Sequence, residues 1–160
     1  MNAHMIIGDI QTFSLRLADH SALIGLDLGK KTIGMAISDD GRKIASALNT
    51  IRRTRFTQDA EFLLNIAVEY GVGGFILGLP LNMNGTEGPR CQSVRQFASN
   101  LSEKTDIPMA FWDERLSTQA VERHLIARDV SRKRRAKVID KLAAQFILQG
   151  ALDFMRNIEH

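Results

Sequence analysis

The stretch Ala22-Leu23-Ile24-Gly25-Leu26-Asp27-Leu28-Gly29-Lys30-Lys31-Thr32-Ile33-Gly34-Met35-Ala36-Ile37-Ser38-Asp39 reads as two short apolar runs joined by a Gly-Lys-Lys-Thr connection, so a β-hairpin is its natural reading. One residue breaks the pattern. Asp27 sets a carboxylate inside an otherwise apolar strand, which is unfavourable unless that group is paired, hydrogen-bonded or bound to a cation. Gly25 and Gly29 flank it and leave room for another backbone segment or a ligand to approach. Structural aspartates concentrate at strand ends and turns, as Asp39 and Asp40 do before Gly41. Asp27 is the first candidate functional residue.

Working outward, residues 42–49 make a third antiparallel strand after the Asp39-Asp40-Gly41 turn, giving a three-strand meander. A helix opens at Thr57 or Gln58, with Phe62, Leu63, Ile66, Ala67 and Tyr70 spaced three and four apart, and Gly71 ends it. Val72–Leu79 is a continuous apolar run before Pro80, as a buried parallel strand requires. The loop 80–89 leads into a helix over 90–103 whose inward positions are Val94, Phe97, Ala98 and Leu101. A short strand over 107–112 runs into Asp113-Glu114-Arg115. Ser117 or Thr118 then caps a helix carrying Ala120, Val121, Leu125 and Ile126. Ser131 starts the last helix, with a stripe of Val138, Leu142, Phe146 and Leu152. This order predicts an α/β fold: a mixed five-stranded sheet, antiparallel meander plus parallel strands, flanked by helices.

The chain of 160 residues is long enough for one domain with its own core, expected over 21–160. Residues 1–20 are expected to form an N-terminal arm packed on it; Asp9, Arg16 and Asp19 interrupt the apolar block a secretory signal needs. With 44% hydrophobic and 24% charged residues and strand-sized apolar runs, nothing in it predicts a membrane span. The single Cys91 excludes an intrachain disulfide, consistent with a cytoplasmic location, and reads as a small residue on a helix face. Net charge is only +3, but its distribution is uneven.

Parallel-sheet sites gather at the carboxyl ends of the strands, where Asp27 and the Asp113-Glu114 pair both fall. Asp140 is the third candidate: Ala143, Ala144, Ile147 and Ala151 let the last helix approach the sheet closely, which turns a carboxylate beside that face inward. Clustered like charges stay ionised only with cations between them. Hard oxygen ligands select Mg²⁺ or Mn²⁺, and no His/Cys spacing suits zinc. Two such ions, roughly 4 Å apart, clamp a phosphodiester for in-line attack by water. On this reading Asp27 bridges both ions while Glu114 and Asp140 hold one each. Asp113 is the rival to Glu114, because strand alternation points only one of them at the site.

The segments 25–34, Gly78-Leu79-Pro80-Leu81-Asn82-Met83-Asn84-Gly85-Thr86-Glu87-Gly88-Pro89-Arg90, Asp113-Glu114-Arg115-Leu116-Ser117-Thr118 and Ile139-Asp140-Lys141-Leu142-Ala143-Ala144 resemble the YqgF-type (RuvX) nucleases, relatives of the RuvC Holliday-junction resolvases. The resemblance runs in order from about residue 23 to residue 153. It implies a ribonuclease H-like fold and a bacterial cytoplasmic enzyme that trims the 5′ end of pre-16S rRNA using Mg²⁺ or Mn²⁺. It carries the family's acidic positions onto Asp27, Glu114 and Asp140, and makes ribosomal precursor particles natural partners. Ala143 stands where resolvases have a second helix carboxylate.

For the substrate, the loop 78–90 offers backbone amides and Arg90, with Arg95 beside it. Arg128, Arg132, Lys133, Arg134, Arg135 and Lys137 form a basic tract that opposes the helix dipole, a placement that a polyanion partner explains. Lys30, Lys31 and Arg115 join Arg90, Arg132, Arg134 and Arg135 as candidate phosphate contacts. With few aromatic residues, backbone recognition of RNA is expected. Two alternatives remain at this stage: a Holliday-junction-type endonuclease acting on branched DNA, and a non-catalytic RNA-binding module of the same fold. Against the second, an intact acid trio would only repel RNA.

Overall fold

The computed structural model describes residues 5–116, 126 and 131–158, with the side chains at 132 and 135–141 outside that set. Its centre is the expected hairpin. Strand β2 (Ala22–Leu28) pairs antiparallel with β3 (Thr32–Ser38), in the register Leu28 to Ile33 and Asp27 to Gly34. The Gly29 N–H donates to the Thr32 carbonyl at 2.9 Å and closes a turn with Lys30 and Lys31 at its tip. The wholly buried Leu23, Ile24, Leu26 and Ile33 show why these runs become strands.

The third strand is shorter than expected and comes in two pieces, β4 (Ala45–Ala47) and β5 (Ile51–Arg52), both paired with β3. Asp39 is the reason. Its carboxylate accepts from the Lys43 and Ile44 amides (2.8 and 2.9 Å), so the turn runs on to residue 44. Two parallel strands follow, β6 (Val72–Leu79) beside β2 and β7 (Met109–Asp113) beside β6. A further short strand, β1 (Ile6–Ile7), pairs parallel with β7, and the sheet order is β1-β7-β6-β2-β3-β4. The mixed sheet is the expected one, with a split third strand and one more strand at its edge.

Helices cover both faces. On one face lie α2 (Phe56–Glu69) and α3 (Pro89–Ser102). The buried side of α2 is Ala60, Leu63 and Ala67, whereas Phe62 and Tyr70 are exposed, which corrects the expected phase of this helix. Gly71 ends it at φ +62°, the left-handed region that glycine tolerates best. In α3 the inward residues are those expected, with Cys91 buried among them.

The other face holds α1 (Ile10–Leu15), which buries Phe13 completely, and the long α4 (Arg132–Ile158). Ser131 caps α4 by accepting from the Arg134 amide at 3.3 Å. The buried stripe of α4 is Ala144, Ile147, Leu148, Ala151, Leu152 and Met155; Leu142 and Phe146 are only half-buried. Small residues decide how close this helix comes. A Cβ on Gly25 would lie 2.7 Å from Leu148 Cβ and 3.0 Å from the Ala144 carbonyl oxygen. Two glutamines of α4 complete the edge strand: Gln149 accepts from the Ala45 N–H (2.8 Å) and Gln145 donates to the Ala45 carbonyl (3.1 Å). The helix expected from Ser117 or Thr118, and Arg128, lie outside the described residues apart from Leu116 and Ile126. Among the described residues no helix is long and apolar enough to cross a membrane.

Candidate active site

Three parallel strands end on the same side of the sheet, and two acids meet there. Asp27 is the penultimate residue of β2, half-buried on the face that α4 covers, with Ala144 close by across Gly34. Glu114 follows β7 directly. Its carboxyl group leans over Gly78 of β6: a Cβ there would lie 2.6 Å from Glu114 Oε1 and 2.9 Å from its Cγ. The two carboxyl groups are hydrogen-bonded to each other.

That contact sets the electrostatics. Burial pushes the Glu114 carboxyl up to about 7, helped by the Asp27 charge and by the hydrogen bond to it, with Asp113 adding to the rise and Arg90 opposing it. In the absence of a cation the Glu114 carboxyl beside Asp27 holds its proton well above the usual carboxylate range. A divalent cation would replace that proton and let both groups ionise, and the donor set is hard oxygen throughout. The residues present therefore fit Mg²⁺ or Mn²⁺. Among the described residues no three His, Cys, Asp or Glu side chains converge, so a third ligand must come from elsewhere. The Asp140 side chain lies outside the described residues, but its backbone position on α4 is one helical turn before Ala144.

Asp113 does different work. It accepts from the Arg115 backbone amide (3.0 Å) and forms a two-pronged ion pair with the Arg115 guanidinium, the shorter arm 2.7 Å. Arg115 holds the Asp113 carboxyl below its usual range and also donates to the Met83 carbonyl at 3.0 Å. Its guanidinium buckles the loop 80–88 to the end of β7, so Arg115, expected as a phosphate contact, is engaged by Asp113 and by the Asn82 and Met83 carbonyls. Arg95 is likewise engaged, ion-paired with Glu87 at 2.7 Å and stacked over Phe111. Within that loop, Asn82, Asn84 and Thr86 bond one another, and Gly85 at φ +87° makes the turn.

The other candidate cations are placed as follows. Lys30 and Lys31 are exposed at the hairpin tip and Arg90 is exposed in the first turn of α3. Lys133 and Arg134 are exposed on the first turn of α4. Arg132 and Arg135 have backbone positions in that turn, and their side chains lie outside the described residues. Sequence reading missed Arg53, whose guanidinium donates to the Gly29 carbonyl (2.7 Å) and stacks over Phe97. The one signal available was the basic run Arg52, Arg53 and Arg55.

The Glu114 shift has a measurable consequence in metal-free protein. A carboxyl whose folded pKa exceeds its unfolded value of 4.5 stabilises the fold below that value. That stability is lost as pH climbs from there to about 7. In EDTA, melting temperature should fall by about 5 °C between pH 5 and pH 7.5, and Glu114→Gln should flatten the curve. A wild-type curve level across that window would contradict the contact.

A mixed sheet in this order, an antiparallel hairpin beside parallel strands with a long helix laid across one face, defines a ribonuclease H-like protein. Solved structures agree: the chain superposes on Thermus thermophilus RuvC in complex with a Holliday junction substrate (TM-score 0.52, 12% identity, 83% of this chain and 94% of that one). It also matches the yeast mitochondrial Holliday junction resolvase (TM-score 0.50, 12% identity, 94% and 85%). Residues 21–154 match the family model described as RuvX, Holliday junction resolvase, and the chain belongs to that family. Relatives named as pre-16S rRNA nucleases include proteins of Paramagnetospirillum magneticum, 62% identical over 86% of this chain and 88% of that one, and Rhodopseudomonas palustris, 65% identical over 82% of each. Members of this family are nucleases, enzymes that hydrolyse phosphodiester bonds.

Proposed function

We propose that this chain is a divalent-cation-dependent nuclease of the bacterial cytoplasm that trims the 5′ end of pre-16S rRNA, acting on ribosomal precursor particles. Asp27, Glu114 and Asp140 are its catalytic acids and hold Mg²⁺ or Mn²⁺. The observation that carries this reading is the hydrogen-bonded Asp27–Glu114 pair at the carboxyl ends of β2 and β7. Two acids half-buried together are stable as a structural device only with a trapped proton, whereas a cation site uses both charges.

When bound, the cation supplies Lewis acidity at the phosphoryl oxygens and lowers the pKa of water. The protein supplies the rest. Glu114 brings its carboxyl over Gly78 and against Asp27, and Asp140, from its position on α4, would supply the third acid. Lys30, Lys31 and Arg90 lie at the same end of the sheet, beyond the carboxyl ends of its parallel strands, and hold the phosphate backbone. Lys133 and Arg134, with Arg132 and Arg135, extend that hold along α4. Contacts of this kind read charge and shape, with little readout of base identity.

The junction-cleaving alternative draws on the family description and on the RuvC likeness. The RNA reading draws on relatives of 54–65% identity spanning most of the chain, against 12% for the junction-bound structure. The experiment gives purified protein and Mn²⁺ a precursor rRNA and a synthetic four-way junction side by side. RNA should be cut, EDTA should abolish cutting, and affinity should fall steeply with salt. Preferential cutting of the junction would move the assignment to DNA, and cutting in EDTA would remove the cation from the mechanism.

A further inference from the structure

On the face of the sheet opposite the acid pair, a cleft of about 160 Å³ opens between the hairpin turn and the start of α3. Leu28 and Pro89 form its apolar walls, and Lys30, Arg53, Arg90 and Ser93 bring polar groups to it. Three cations share this small space, and among the described residues none of the three is ion-paired. An anion entering the cleft would therefore meet positive charge that no carboxylate among the described residues neutralises.

One of the three is held in place in advance. Arg53 donates through Nη1 to the Gly29 carbonyl and rests over the Phe97 ring, 5.6 Å from its centroid. Its backbone amide bonds the Lys31 carbonyl at 2.8 Å, which ties residue 53 to the hairpin turn. These contacts use one arm of the guanidinium fork and leave its other donors available for an oxyanion. The cleft is well below the 300–1,000 Å³ of sites that enclose small molecules, so it suits one group of a longer ligand. It is also close to the chemistry: Leu28 and Gly29 follow Asp27 directly, and Arg90 acts electrostatically on Glu114.

The geometry points to a subsite for a non-scissile phosphate of the substrate RNA strand, gripped by Arg53, Lys30, Arg90 and Ser93, while the strand crosses the sheet end toward Asp27 and Glu114. It rests on the nuclease reading above and adds to it a fixed register. One phosphate sits in the cleft whenever another lies at the acids, so the cut falls a set number of nucleotides from the gripped position.

The test is a binding cycle in an Asp27→Asn background, in EDTA, where cleavage should be too slow to disturb the measurement. Single-stranded RNAs spanning the precursor 5′ boundary each carry one uncharged methylphosphonate at successive positions. For the parent cleft, one position near the cleavage boundary should weaken binding about 10-fold, and its salt slope should drop by about one. Arg53→Gln combined with Lys30→Gln should weaken binding of unmodified RNA by a similar factor. Together, cleft variant and critical methylphosphonate should do no more harm than either alone. Arg53→Lys, keeping charge without the fork, should recover part of the loss, and melting temperatures should report that each variant is folded. Multiplying effects, or the absence of any sensitive position, would overturn the subsite. Failure of the wild type to cut RNA would overturn the nuclease reading instead, and the binding cycle would still give its own answer.

Discussion

Asp27→Asn should lower RNA cleavage in Mn²⁺ by at least about 1,000-fold, roughly 4 kcal/mol of transition-state stabilisation, while RNA affinity holds or rises slightly. The substitution is nearly isosteric, so the packing of β2 against α4 is kept. What changes is charge. The amide that replaces the carboxylate can still hydrogen-bond Glu114, and without the Asp27 charge the Glu114 carboxyl moves back down from about 7. Metal-free protein should therefore be at least as stable as the parent. A cation, by contrast, loses an anionic ligand, and a passing phosphate meets one negative charge fewer. Single-turnover cleavage, filter binding and thermal melting separate these effects. Cleavage within 10-fold of the parent would remove Asp27 from the chemistry, and a parallel loss of melting temperature would recast it as structural. A non-catalytic RNA-binding module predicts no functional change at all.

Asp27 was legible in the sequence because a carboxylate inside an apolar strand has no cheap structural explanation. The choice between Asp113 and Glu114 was not. Alternation along a strand says that the two point apart, but which one meets Asp27 depends on Arg115. That arginine draws Asp113 toward the carbonyls of the loop 80–88, and nothing in the linear spacing announces so long a reach. Arg53 was hidden for a similar reason. Its place in the cleft comes from pairing Ile51 and Arg52 with Ile33 and Thr32, a register set by packing across the sheet. The third strand was overdrawn because alternation in 42–49 competes with the Asp39 side chain, which captures two amides locally. In α2 the three-and-four spacing put Phe62 and Tyr70 on the apolar face with Leu63 and Ala67, whereas the sheet-facing side is Ala60, Leu63 and Ala67.

The acid pair also explains a residue that carries no chemistry of its own. Gly78→Ala should lower cleavage about 100-fold with the fold intact. Gly78 pairs with Trp112 in the β6–β7 ladder and presents its missing side chain to the face where Glu114 lies. An added Cβ would stand 2.5 Å from Ile147 Cδ1 and 2.6 Å from Glu114 Oε1. Ile147 Cδ1 is the far end of a flexible side chain and can swing aside, whereas Glu114 Cγ at 2.9 Å obliges the whole carboxyl arm to move, at about 1–2 kcal/mol in stability. For Ile147 that is a matter of packing only. For Glu114 it moves a carboxylate by about 1 Å in a site whose chemistry depends on position, and the apparent affinity for Mg²⁺ should fall about 10–100-fold. Adding Ile147→Val to Gly78→Ala separates the two consequences. The smaller side chain removes the Cδ1 conflict and should recover melting temperature, yet it leaves the clash with Glu114 and should not recover cleavage. If the double variant regains both together, the defect is one of helix packing and Glu114 is not being displaced. If Gly78→Ala alone cuts RNA within 3-fold of the parent, the carboxyl group over Gly78 is not where the reaction needs it.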